Sequence, residues 1–90
     1  MYRLFITNEF DSGLEKITNR DRTSIEKKIN EYMAPQVKIE PHHGPNIKKL
    51  KGYNPETWRY RIGRYRLFYT INEAELRIDF ISIDQRKDAY

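Results

Sequence analysis

Four arginines, Arg59, Arg61, Arg64 and Arg66, fall within eight positions of the run WRYRIGRYRLFY, with no acidic residue among them. A guanidinium stays charged at any working pH and presents a planar fork that matches phosphate or carboxylate oxygens in pairs. Such a set can grip a phosphate backbone and stabilise negative charge developing on it, but it cannot take up a proton. The two histidines, His42 and His43, are the side chains able to titrate near neutrality. They lie in a proline-rich stretch and read as exposed loop residues. Asp79 and Asp84 lack the further ligands of a metal site, so neither a metal nor another cofactor is expected. The chain has no cysteine, which removes disulfides and thiolate zinc sites.

The elements that hold the arginines follow from a period of two. Trp58, Tyr60 and Ile62 alternate with Arg59 and Arg61; Tyr65, Leu67, Tyr69 and Ile71 alternate with Arg66, Phe68 and Thr70. Gly63-Arg64 suits a two-residue type II′ hairpin. That turn sets Ile62 against Tyr65, Arg61 against Arg66, Tyr60 against Leu67 and Arg59 against Phe68. The aromatic and aliphatic set then shares one face, the core, and Arg59, Arg61 and Arg66 share the other. Like charges directly opposed cost roughly 0.2–1 kcal/mol, so keeping Arg61 opposite Arg66 points to an anion between them. The alternative is that Asp79 and nearby glutamates neutralise the cluster. A further turn near Asn72–Glu75 leads to a last strand with Leu76, Ile78 and Phe80 in the core phase. Arg77, Asp79, Ile81 and Ile83 take the opposite phase.

Upstream, YRLFI at residues 2–6 reads as a short strand. Thr7 or Asn8 caps a helix whose apolar face is Phe10, Leu14 and Ile17, and Gly13 weakens it by about 1 kcal/mol relative to alanine. A break at Asn19–Asp21 precedes a second helix with Ile25, Ile29, Tyr32 and Met33 on its apolar face, ended by Pro35. Residues 35–55 hold all four prolines and read as a long irregular connection, with at most a short strand or turn near Val37–Ile39. Within it KKLKG adds Lys48, Lys49 and Lys51, with Leu50 as anchor to the core. This basic edge is either solvated or in contact with substrate. Asp84–Tyr90 reads as a short C-terminal helix. The expected fold is α+β, β-α-α-β-β-β with that short helix. A helical hairpin packs on one face of a twisted antiparallel sheet, in a single domain over 1–90.

The charge balance agrees. Residues 1–45 carry seven Lys/Arg and seven Asp/Glu; residues 46–90 carry ten and six, and so hold the whole net charge of +4. Such asymmetry suits either a polyanion-facing side or an ordinary solvated charged surface. MYRLFITNEF alternates instead of forming the apolar run of a signal peptide, and no stretch approaches a membrane span. A cytoplasmic protein is expected.

KKLKG, the strand of alternating basic residues, YRLFY and the closing ISIDQRKDAY together resemble the RelE/ParE superfamily of toxins from bacterial and archaeal toxin–antitoxin pairs, the RelE branch in particular. The resemblance spans essentially the whole chain, the helical hairpin matching in pattern more than in motif. It implies a ribosome-dependent endoribonuclease that cuts messenger in the A site, by attack of a ribose 2′-OH on the adjacent phosphate, without a metal. It also implies a small antitoxin, acidic in its toxin-binding segment, that wraps helical and strand segments around the fold, with operator DNA reached only through that antitoxin. By position, Arg59 and Arg61 are the strand's two basic residues, Arg66 the arginine of YRLFY and Arg86 the arginine after the last strand. Tyr90 is the aromatic that stacks on a base. Arg66 and Arg86 would stabilise the dianionic transition state. Family members carry lysine where this chain has Arg59 and Arg61, and arginine is a poor proton acceptor. Lys48, Lys49, Lys51, Arg64, Arg77 and Lys87 complete the expected RNA and ribosome contacts. The ParE branch instead poisons DNA gyrase on the same fold without cutting RNA; a third reading is a degenerate, non-catalytic member that only binds its antitoxin.

Overall fold

The computed structural model of the chain describes residues 1–85. Its elements are β1 (Arg3–Ile6), α1 (Asn8–Glu15), α2 (Asn19–Lys28), α3 (Ala34–Ile39), β2 (Ile47–Leu50), β3 (Thr57–Ile62), β4 (Tyr65–Asn72) and β5 (Arg77–Gln85). The strands form one sheet in the order β1-β5-β4-β3-β2, and the helices cover one face. The architecture is the expected α+β, with corrections. The sheet is mixed, because β1 runs parallel to β5 while the other pairs are antiparallel. The connection over 35–55 contains a strand, β2, and begins with a helix.

Both helix starts rest on threonine caps. The Thr7 hydroxyl accepts from the Phe10 N–H and the Thr18 hydroxyl from the Asp21 N–H, so the second cap falls one residue before the expected break. Gly13 is explained by packing. A Cβ there would stand 2.8 Å from Ile83 Cγ2 and 3.3 Å from its carbonyl oxygen, so α1 lies almost directly on β5. Pro35 does not end the second helix. The helical course runs on through a π turn, Ile29–Met33, into α3, where Pro35 sits in the first turn and its missing N–H is tolerated. The buried or partly buried residues Ile25, Ile29, Met33 and Val37 are spaced by four. At 3.6 residues per turn that spacing drifts by roughly 40° a step, and a π turn takes up one extra residue, returning about 100°. Val37 therefore stays on the core side, while Tyr32 is 63% exposed instead of buried.

The β3–β4 register is the expected one: Ile62 pairs with Tyr65, Arg61 with Arg66, Tyr60 with Leu67 and Arg59 with Phe68. Gly63 has φ +58° while Arg64 does not have positive φ, the pattern of a type II′ turn. Trp58, Tyr60, Ile62, Tyr65, Leu67 and Tyr69 are all buried on the core face of the sheet. Three of the tyrosines also bond outward from the sheet. Tyr60 donates to Gln36 Oε1 in α3 at 2.7 Å, Tyr65 to Asp21 in α2 at 2.9 Å, and Tyr69 to the Pro41 carbonyl at 2.6 Å. Burial, then the Asp21 bond, pushes the Tyr65 phenol up; burial likewise pushes the Tyr69 phenol up. These bonds fix how helices and loop sit on the sheet. Ile47, not Leu50, packs β2 against the core.

The last strand departs from simple alternation. Tyr69 pairs with Phe80 and Phe68 with Ser82, so Ile81 is an extra residue at a β-bulge. Beyond it the phase inverts. Ile83 turns into the core at 8% exposure, against expectation, and Asp84 comes to the arginine side. Leu76 is not a core residue either; it lies in the β4–β5 turn at φ +51° and is exposed. Asp84 and Gln85 continue β5 instead of starting a helix, and the rest of that expected helix lies outside the described residues.

Candidate functional site

The face of the sheet turned away from the helices gathers most of the singled-out cations. Arg59 sits between Lys48 of β2 and Phe68 of β4, and Arg61 sits opposite Arg66. Arg61 is exposed, its Nε donating to the Gly63 carbonyl at 3.2 Å. Arg64 is exposed at the hairpin turn. Lys49 points the other way. It is bonded to Glu56, and its Nζ lies 5.6 Å from the centre of the Trp58 ring. Lys51 is exposed in the turn after β2. Arg86, Lys87 and Tyr90 lie outside the described residues.

The bulge supplies a partner that alternation alone had placed elsewhere. Arg66 Nε donates to Asp84 Oδ1 at 3.1 Å and Nη2 to Oδ2 at 3.2 Å, a two-bond fork. The guanidinium carbon of Arg66 also lies 5.7 Å from the centre of the Phe68 ring. The crowding of Arg61 and Arg66 is therefore relieved in part within the chain. No sequence signal marks the bulge, and unbroken alternation along β5 would have turned Asp84 to the core side.

Charge on this face is unevenly spread. Over β2, β3 and the start of β4 it carries Lys48, Arg59, Arg61 and Arg66, and among the described residues Asp84 of β5 is the carboxylate beside them. Over β1 and the start of β5 it carries Arg3 and Arg77. There Arg77 Nε donates to Asp79 at 3.1 Å and Nη1 to Glu75 at 3.3 Å. The Phe5 ring lies between the two guanidiniums, each 5.6 Å from its centre. Arg77 thus sits in a charge-balanced corner, apart from the net-positive half.

His42 is not the exposed loop residue expected, whereas His43 is exposed. Nδ1 of His42 is 3.2 Å from Glu40 Oε2 and Nε2 is 2.9 Å from Glu73 Oε1. Its ring meets Trp58 edge-on at 5.7 Å, and Tyr2 donates to the same Glu73 at 3.1 Å. Burial alone would lower the His42 pKa, but the bonds to Glu40 and Glu73 outweigh it and raise the value; the bond to His42 lowers that of Glu40. Trp58 belongs to the core side, so the sheet separates His42 from Arg59, Arg61 and Arg66. It clamps the loop and cannot serve as a base for them. Among the described residues no cluster of His, Cys, Asp and Glu could hold a metal ion.

The arrangement can bind and stabilise extended anionic charge on an open surface. A family model described as the ParE toxin of the type II toxin–antitoxin system parDE matches residues 4–90. The search of curated proteins returns no match. Among solved structures, the RelBE2 toxin–antitoxin complex of Mycobacterium tuberculosis contains a chain similar at TM-score 0.72 and 20% identity, covering 94% of this chain and 98% of that one. The RelE–RelB complex of Pyrococcus horikoshii gives 0.71 at 21%, covering 98% of each. The isolated RelE toxin of E. coli gives 0.72 at 21%, covering 99% of this chain and 88% of that one. At these identities the likeness is one of fold.

Proposed function

This chain belongs to the family of the ParE toxin of type II toxin–antitoxin systems, within the RelE/ParE superfamily, and from its arginine-bearing sheet face and the fold it shares with RelE toxins we propose that it is a toxin that cuts messenger RNA on the ribosome. Its partner is a cognate antitoxin, as in the RelE–RelB complexes of the same fold. The observation that carries the catalytic reading is the open sheet face where, among the described residues, Lys48, Arg59, Arg61 and Arg66 lie together with Asp84.

The reaction is attack of a ribose 2′-oxygen on the neighbouring phosphorus. A bond forms to that oxygen as its proton is taken up, the bond to the 5′-oxygen breaks, and that oxygen gains a proton from water, so the products are a 2′,3′-cyclic phosphate and a 5′-hydroxyl. The crowded dianion between them needs donors fixed in place beforehand. Arg66 supplies a fork for its oxygens, with Arg86, from the sequence, as its second donor; Arg59 and Arg61 hold the adjoining phosphates. None of these can accept the 2′ proton. Both oxygens of Asp84 already accept from Arg66. The proton acceptor is then assigned to the ribosome–messenger complex, which accounts for a requirement for the ribosome.

The test is cleavage of ribosome-bound against free messenger by purified protein, mapped by primer extension. Arg66→Ala should lower single-turnover cleavage by roughly 100-fold, the scale of losing one transition-state donor, and Arg66→Lys should recover only part. Undiminished cleavage by Arg66→Ala would sink the assignment. A second reading has support from the description of the matching family and from the neutralised state of Arg66: a ParE-like toxin acting on DNA gyrase through the same surface. Loss of DNA supercoiling in cells whose messengers stay whole would decide for it.

A further inference from the structure

Among the described residues, the net-positive half of the sheet face carries one aromatic ring among its cations. Phe68 follows Leu67 and precedes Tyr69, both completely buried, and its own side chain points the opposite way and stays partly open. Its register partners are Arg59 on one side and the small Ser82 on the other, and the Arg66 guanidinium carbon lies 5.7 Å from its ring centre. Strand geometry puts Arg59 about 4.8 Å across the sheet from it and Arg66 about 6.8 Å along its own strand. A ring in the core phase would need no such neighbours. Outside the core, a β-branched residue would serve the strand as well and expose less apolar surface.

We infer that Phe68 is a stacking platform for one unpaired nucleobase of the RNA; this rests on the reading of the arginine face as an RNA site. Single-stranded RNA is held by such pairings, with bases on aromatic faces and phosphates on the cations beside them. As the phosphate takes the Arg66 fork, the guanidinium leaves the ring and a base takes its place, with Arg59 holding the phosphate on the other side. Ser82 leaves room over the ring from β5. Phe5, on the same face and 46% exposed, is a built-in comparison. Its flanking arginines share their corner with Asp79 and Glu75, so that corner holds no surplus charge for phosphates.

Binding of a short, unstructured 2′-O-methyl RNA carrying 2-aminopurine tests this, measured at several salt concentrations. Phe68→Leu should weaken binding by roughly 5- to 100-fold, abolish quenching of the 2-aminopurine and leave the salt dependence unchanged. Arg66→Ala should instead lower the slope of log affinity against log salt by about one. Phe68→Trp should bind like the parent, with its added emission quenched by RNA, and Phe5→Leu should bind like the parent. Should Phe68→Leu fail to fold, the tryptophan emission decides alone, and unquenched emission overturns the inference. Binding by Phe68→Leu equal to the parent, with Arg66→Ala impaired, overturns stacking and leaves the RNA face standing. A Phe68→Leu loss that lowers the salt slope as Arg66→Ala does also overturns it, since the ring would then act only by seating Arg66. No binding by the parent protein, even at low salt, overturns the RNA face and the stacking together.

Discussion

Asp84→Asn should make this protein a better RNA binder and a slightly less stable fold. The carboxylate occupies the fork of Arg66 through two bonds of 3.1 and 3.2 Å, so a phosphate that uses Arg66 must first displace it. Both partners are partly exposed, 30% and 51% for the two side chains, and solvent screening limits such a pair to about 0.5–1 kcal/mol. The displaced carboxylate also repels the phosphate; at ~5 Å in water that adds about 0.8 kcal/mol. Removing both obstacles is worth about 1.5 kcal/mol, roughly tenfold in Kd. The same lost pair should lower Tm by about 2–8 °C for a chain of this size. Fluorescence anisotropy with a non-cleavable RNA, alongside a thermal melt, measures both. Folded Asp84→Asn that binds RNA no more tightly than the parent would refute the competition argument. Tighter binding with slower cleavage on the ribosome would identify Asp84 as the proton acceptor instead.

Gly13→Ala gains helix propensity worth about 1 kcal/mol, yet its Cβ would press on Ile83 at 2.8 Å and on that residue's carbonyl at 3.3 Å. The net expectation is a loss of about 0–2 kcal/mol in denaturant unfolding, and a gain would show that α1 can lift off β5. Tyr69→Phe leaves the Pro41 carbonyl without the bond it accepts at 2.6 Å and should cost about 1–3 kcal/mol, also read by denaturant. The raised pKa of His42 gives the loop clamp a pH signature. Its contribution is complete below the unfolded value of about 6.5 and is lost as pH rises through the higher folded value. Amide exchange over residues 40–46, corrected for intrinsic rates, should therefore accelerate across that window, and His42→Gln should flatten the dependence.

The hairpin was readable from the sequence because its information is local. Gly63-Arg64 fixes a two-residue turn, the turn fixes register, and register with a period of two fixes which side Arg59, Arg61 and Arg66 take. Three features escaped for a shared reason, that nothing local specifies them. The bulge at Ile81 depends on how β5 meets the bend of β4, so Ile83 and Asp84 exchanged sides. β1 shows an ordinary short-strand pattern, and its parallel pairing with β5 is set by the helices that carry the chain across. The π turn let the helical course outlast Pro35, which local rules treat as a stop. Phe5 and Ile6 stay exposed at the sheet edge, so apolar content alone could not tell edge from core there. His42 hid for a similar reason, since its partners Glu40 and Glu73 are brought to it by the loop and by a turn 31 residues away.

The place of β5 between β1 and β4 has a temporal consequence. The earliest-made strand and the hairpin become one sheet only through a segment synthesised after both. A growing chain that has reached Asn72 has its arginines on a bare hairpin, with no middle strand to brace them and no Asp84 to cover Arg66. Contacts of such long sequence separation form late. The braced arginine face and the carboxylate beside Arg66 thus arrive in the same closing step.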